Sequence, residues 1–145
     1  IGLLATVVTV SSTASRAQAR DAQRKADLQT VAGALELYRA TNKQYPNIQS
    51  TSGSWSALKA ELYPEYLNRW PEDPRDTEAY RYLYASNLES LAAAGAMYMV
   101  EGTIENEDEA ITAPEIEPTN NGEAFYFITG TYASDDGVKY RVSGR

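Results

Sequence analysis

The sequence predicts an α+β fold in which one long N-terminal helix packs on a small antiparallel β-sheet head. Three observations predict it. No proline occurs before Pro46 and no turn cluster interrupts residues 1–42. Leu28, Val31, Leu35 and Tyr38 recur at three- and four-residue steps, the spacing of one helix face. After residue 79 the aromatic residues alternate with period two, as on half-buried strands.

The helix reads as one element in three parts. Ile1, Leu3, Leu4, Val7, Val8 and Val10 leave almost no polar side, and a helix apolar all round is buried in protein or lipid. The β-branched Thr6–Val10 run also tolerates a strand, or a core helix within the chain. From Ser11 to Lys25 the residues are small or charged: Arg16, Arg20 and Arg24 line one side, with Asp21 placed to pair with Arg24 and Lys25. Alanines at 14, 17, 19, 22 and 26 keep this stretch slim. They suit either close approach of another helix or plain helix propensity, and the charges by themselves read as a solvated face. Leu28, Val31, Leu35 and Tyr38, supported by Ala34 and Leu37, then form the face expected to pack on the head, and the helix is expected to end near Asn42. At 1.5 Å per residue it reaches roughly 60 Å, whereas a domain of this size has a radius of gyration near ~15 Å, so it must project. The expected division is 1–25 as the protruding half and 26–145 as the head.

Beyond the helix, Trp55, Leu58 and Leu62 predict a short helix with Ser54 at its cap and Pro64 as its stop. Pro71 and Pro74 hold an extended or turn segment. Tyr80–Tyr84 and Tyr98–Ile104 predict strands, with a helical turn over 87–94 between them. Phe125–Thr131 and Val138–Val142 predict another pair, joined through Asp135-Asp136-Gly137. Residues 105–122, acidic and containing Pro114 and Pro118, read as a long surface loop.

Composition removes several function classes. A net charge of −7 argues against nucleic acid as a partner, since phosphates reward basic stripes. With no cysteine and no histidine, disulfides, thiolate metal sites and Ser–His–Asp triads are impossible. The many carboxylates fall in no recognisable catalytic pattern, so an enzyme is not expected. Eleven tyrosines against two phenylalanines suggest aromatic surfaces packed on one side and wet on the other. The apolar stretch of ten residues is short of the ~20 needed to span a bilayer, and Ile1 in place of an initiator Met suggests a processed or trimmed start.

The run Ala19-Arg20-Asp21-Ala22-Gln23-Arg24-Lys25-Ala26-Asp27-Leu28, continuing to Ala34-Leu35-Glu36-Leu37-Tyr38 and Gln44-Tyr45-Pro46, resembles bacterial type IV pilins. The closest variety is the major pseudopilin of type II secretion. Pro64-Glu65-Tyr66-Leu67, Pro71-Glu72-Asp73-Pro74 and the Tyr80–Tyr84 run extend the likeness, which covers residues 1 to about 106 well and the rest in outline. The resemblance implies a pilin-like fold and a structural subunit that polymerises through its N-terminal helix into an extracellular, cell-surface filament. Before assembly that helix would anchor the subunit in the inner membrane, and a prepilin peptidase and pilus assembly machinery are the implied partners. Mature pilins begin about a dozen residues earlier than Ile1, with a phenylalanine and an assembly glutamate, neither of which is present; restoring such residues would bring the apolar segment to membrane-spanning length.

On this reading Ile1, Leu3, Leu4, Val7, Val8 and Val10 lie in the filament core, covered by neighbouring copies, and Arg16, Arg20, Arg24 and Lys25 are expected between subunits, facing acidic groups such as those of residues 105–123. Reversing Arg20 and Arg24 would then weaken assembly without unfolding the head. No cofactor is required. The family's calcium site has candidate oxygen donors in Glu107, Asp108, Asp135 and Asp136, against which stands a solvated acidic loop and a hairpin turn. The alternatives are a pseudopilin of a type II secretion system, or a minor or tip pilin acting as an adhesive binding module. Adhesion, motility, DNA uptake and secretion share this subunit plan.

Overall fold

Unbroken by proline, the first part of the chain forms α1, Gly2–Asn42, in the computed structural model. The structure describes residues 2–48, 54–75, 77, 79–86, 97–105, 115–117, 125–127, 130–134 and 137–144, with side chains described outside 2–12, 115–117, 125–127, 130–139 and 143. The 41-residue helix ends where Lys43 takes a positive φ of 67°, and the Lys43 amide still reaches the Arg39 carbonyl at 2.7 Å. Left-handed backbone at this position is the common way to end a helix, here carried by a residue other than glycine. No helix among the described residues is long and apolar enough to cross a membrane.

Helix α2, Ser54–Leu62, follows. Among the described residues six short strands complete the α+β fold: β1 Leu83–Ser86, β2 Tyr98–Thr103, β3 Glu115–Glu117, β4 Phe125–Phe127, β5 Gly130–Ser134 and β6 Gly137–Gly144. Four of them form an antiparallel sheet in the order β1-β2-β6-β5, and β3 pairs antiparallel with β4. The edge at β1 is partly covered by α2, with Ser54 Oγ accepting the Tyr84 amide at 3.2 Å, which spares it from presenting a bare strand edge.

Period-two alternation assigns the two faces of the sheet. Tyr98, Val100, Tyr140 and Val142 are buried in the core, in register as Val100↔Val142 and Gly102↔Tyr140. Leu28, Val31 and Leu35 of α1 are fully buried in the same cluster, with Tyr45, Leu58, Leu62 and Tyr84, and Tyr38 packs at its edge. Burying each aliphatic side chain contributes about 1.5–3 kcal/mol, so this face holds the helix to the head. On the opposite sheet face the directly paired Glu101 and Arg141 are also buried, with Arg141 Nε donating to Glu101 at 2.9 Å.

Gly102 is a point where helix and sheet pack closely. A Cβ there would lie 3.0 Å from Tyr82 Cδ1 and 3.3 Å from Leu28 Cδ1. The Tyr82 ring is not free to yield, because its hydroxyl donates to Asp27 Oδ2 at 3.0 Å. Gly102→Ala is therefore expected to lower the unfolding free energy by about 1–3 kcal/mol, the usual cost of overpacking, measured by urea denaturation followed by far-UV circular dichroism.

Five expectations need correction or restriction. Leu37 does not support the head face; it is 59% exposed, since nine residues after Leu28 is two and a half turns and places it on the far side. The first strand spans Leu83–Ser86 rather than starting at Tyr80, and Tyr80 is half-buried ahead of it. Residues 105–122 are not wholly loop, since Glu115–Glu117 pairs with Phe125–Phe127; three residues between Pro114 and Pro118 are too few to show a period. The region read as Phe125–Thr131 contains two strands, β4 and the start of β5. The helical turn over 87–94 falls outside the described residues.

Candidate functional site

Two regions of α1 stand out: an ionic cluster where the helix leaves the head, and the helix face turned away from the head.

The cluster is centred on Arg24, which is fully buried. Its Nη1 donates to Asp21 Oδ1 at 2.7 Å and to Glu105 Oε1 at 2.8 Å. Its Nε and Nη2 donate to the two oxygens of Asp73 at 2.6 and 3.0 Å. Three carboxylates thus share one planar, multi-donor cation, a task suited to arginine's fork geometry. Arg20 binds Glu105 in bidentate fashion, at 2.7 and 2.6 Å, and Arg75 reaches the same carboxylate at 3.2 Å. The Glu105 amide donates to both Asp21 oxygens, at 2.9 and 3.1 Å. Arg24 and Arg75 each lie 4.7 Å from the centroid of Tyr80, within cation–π range.

Burial works against the Arg24 charge, but the hydrogen bonds it donates to Asp73, Glu105 and Asp21 outweigh it, and the pKa rises above the ordinary arginine value. Hydrogen bonding by Arg20, reinforced by Arg24, holds the Glu105 carboxyl at about 2 against the opposing effect of burial. With its folded value depressed, Glu105 contributes stability that is complete above the ordinary value of 4.5 and is lost as pH falls through about 2. An acid titration followed by circular dichroism should show this loss, and Glu105→Gln should flatten that part of the profile. Asp27 acts in the opposite sense, since burial beside Tyr82 raises its pKa.

Of the expected inter-subunit collar, this cluster corrects the place of Arg24. Arg24 has no exposed surface with which to meet a neighbour, and its charge is neutralised within the chain. The Arg20 guanidinium is engaged by Glu105, although about a third of the side chain stays exposed. Lys25 is half-buried, with Nζ 5.5 Å from the Tyr140 ring centroid. Arg16 is exposed. The docked part of the helix accordingly begins near Arg20, a turn and a half ahead of the expected boundary at residue 25. The sequence held one local sign of this arrangement, the i,i+3 spacing of Asp21 and Arg24.

The face opposite the core carries Ala19, Ala22, Ala26, Thr30, Gly33, Leu37 and Ala40, spaced by three or four residues and all exposed. Thr30 Oγ1 donates to the Ala26 carbonyl at 2.8 Å and Thr41 Oγ1 to that of Leu37 at 3.3 Å, so these hydroxyls are satisfied by their own helix. The face is slim and largely apolar. A Cβ at Gly33 would meet nothing within 4 Å, so nothing in the described structure requires glycine there.

The side chains of Ile1, Leu3, Leu4, Val7, Val8 and Val10 lie outside the described residues, as do Glu107, Asp108, Asp135 and Asp136. Among the described residues no group of acidic side chains is arranged to hold a metal ion; Asp21, Asp73 and Glu105 converge, but on the Arg24 guanidinium. Fold and site together define an α+β chain whose small sheet grips one half of a long helix. Comparison with protein-family models, characterised proteins and solved structures gives no match.

Proposed function

We propose that this chain is a structural subunit of the type IV pilin kind, polymerising through its N-terminal helix into an extracellular filament. A pseudopilin of a type II secretion system is the nearest variant of the same plan. The observation that carries the reading is the head-averted face of α1, where exposed alanines, Gly33 and a 59% exposed Leu37 share one side of the helix. Glycine in a helix interior costs about 1 kcal/mol relative to alanine, and here nothing within the described chain offsets that cost. Small side chains let a second helix approach closely, with axes about 8–10 Å apart. Successive copies related by a head-to-tail operation that does not close would bury this face along a filament.

The test is electron microscopy of material sheared from cells expressing the full-length protein, combined with identification of the repeating polypeptide. Filaments built mainly of this chain support the reading. A full-length protein found as monomer alone, with its N-terminus intact, would sink it.

A second reading, a scarce tip subunit acting as an adhesive module, draws on Tyr63, 43% exposed, three residues before Tyr66 of the Tyr38–Tyr66 ring pair. Abundance separates the two, because a tip subunit is rare in purified filaments.

A further inference from the structure

The ionic cluster has an uneven design. Arg24 is fully buried and touches three carboxylates. Glu105, by contrast, is shared among Arg24, Arg20 and Arg75, and the last two side chains are 31% and 45% exposed. If Glu105 lets go, Arg20 and Arg75 pass to water at little cost, as surface ion pairs do. Arg24 meanwhile keeps Asp21 and Asp73, so no buried charge is stranded. The cluster therefore has an outer connection that opens cheaply and an inner one that does not.

Position gives this asymmetry a consequence. The apolar grip on α1 runs from Leu28 to Leu35, and ahead of Arg20 residues 13–19 are exposed apart from the half-buried Ala17. Arg20–Glu105 is thus the outermost of the described side-chain ties between the helix and the end of β2. Helical segments with little tertiary support are marginal in water, so the helix ahead of Arg24 draws on this tie, together with the Glu105 amide held by Asp21, to stay aligned with the head.

We propose that Glu105 is a releasable latch, closed in this structure, whose opening undocks α1 ahead of Arg24 while the head stays folded, and that ionic strength sets the balance. The groups facing Glu105 are Arg20, Asp21 and Arg24 from α1, and Arg75 from the segment after Pro74, with Asp73 and the Tyr80 ring packed on the same guanidinium groups. Salt screens the partly exposed Arg20 and Arg75 pairs, since the Debye length shrinks from about 10 Å at 0.1 M to about 3 Å at 1 M. It leaves the buried Arg24–Asp73 pair largely unscreened. The inference does not depend on polymerisation.

The chain contains no cysteine, so a pair introduced as Arg16→Cys and Lys59→Cys can carry two spin labels without interference. Their distance distribution, measured by pulsed electron resonance, reads the alignment of the helix with the head. At low salt the parent should give one narrow distance, and at 1 M NaCl a second, broader population should grow. Glu105→Gln should raise that population about tenfold already at low salt, the effect of losing one charge-assisted partner. Near-UV circular dichroism from Trp55 and Trp70 should be unchanged throughout. Arg20→Gln, which removes one outer guanidinium and leaves Arg24 and its three carboxylates in place, should act in the same direction. A single narrow distance in both variants at both salt concentrations would overturn the proposal. So would loss of the near-UV signal in both, because the tie would then belong to the global fold.

Discussion

Arg24→Ala is expected to lower the unfolding free energy by about 3–5 kcal/mol, the usual cost of removing one partner from a buried charge pair. Arg24→Glu is expected to cost more and to leave the head unfolded at room temperature. The reason is local and countable. Without the guanidinium, Asp21, Asp73 and Glu105 face a common space with their main cation gone. Glu105 retains Arg20 and Arg75, but among the described residues no other cation is seen at the Asp73 carboxylate, which then accepts from the Arg75 amide. Arg24→Lys should not rescue the loss, because one ammonium cannot present the planar set of donors that four contacts use. Against a total stability of about 5–15 kcal/mol for an ordinary domain, this is a large fraction. Urea denaturation monitored at two wavelengths measures it, and an Arg24→Ala midpoint close to that of the parent would refute the hub assignment. The result also bears on assembly experiments. A reversal of Arg20 and Arg24 together is expected to unfold the subunit before it can report on any interface, so lost filaments in that variant would say nothing about inter-subunit charge.

What the sequence made legible follows from how far each signal reaches. The helix and its core face were readable because Leu28, Val31 and Leu35 repeat locally at helical spacing, and three fully buried residues follow from that repeat. Helix α2 and the β5–β6 hairpin were likewise announced by neighbours in sequence: Ser54 and Pro64 bracket the first, and the Ser134↔Gly137 register brackets the second around residues 135 and 136. The ionic hub was not legible. Asp73 and Glu105 lie 49 and 81 residues from Arg24, and each has a plausible local role, one in a proline turn and the other at the head of an acidic run. A carboxylate carries no mark of which distant arginine it will meet. Leu37 misled for a related reason: hydrophobicity suggested the core, whereas helical phase sets it opposite Leu28. The strand β3 was hidden because three residues give no period to count.

Gly33 separates monomer stability from assembly at a single position. In the described chain a Cβ at this site meets open space, so Gly33→Ala should raise the unfolding free energy of the isolated head by about 1 kcal/mol through helix propensity. Gly33→Leu should also leave the monomer at least as stable as the parent, since the larger side chain projects to solvent. If a neighbouring helix uses this face, the same leucine forces the two axes apart along the stripe from Ala19 to Ala40. Small-to-large changes in packed contacts cost about 1–3 kcal/mol each, and a filament repeats the fault in every subunit. Filament yield from sheared cells should then fall by on the order of tenfold or more for Gly33→Leu, with cellular subunit levels and thermal melting unaltered. A chain that does not polymerise through this face predicts no loss at all, only the gain in stability. The two readings of Gly33, a costly accident or a space kept for another helix, therefore differ in the sign of what leucine does to function while agreeing on what it does to folding.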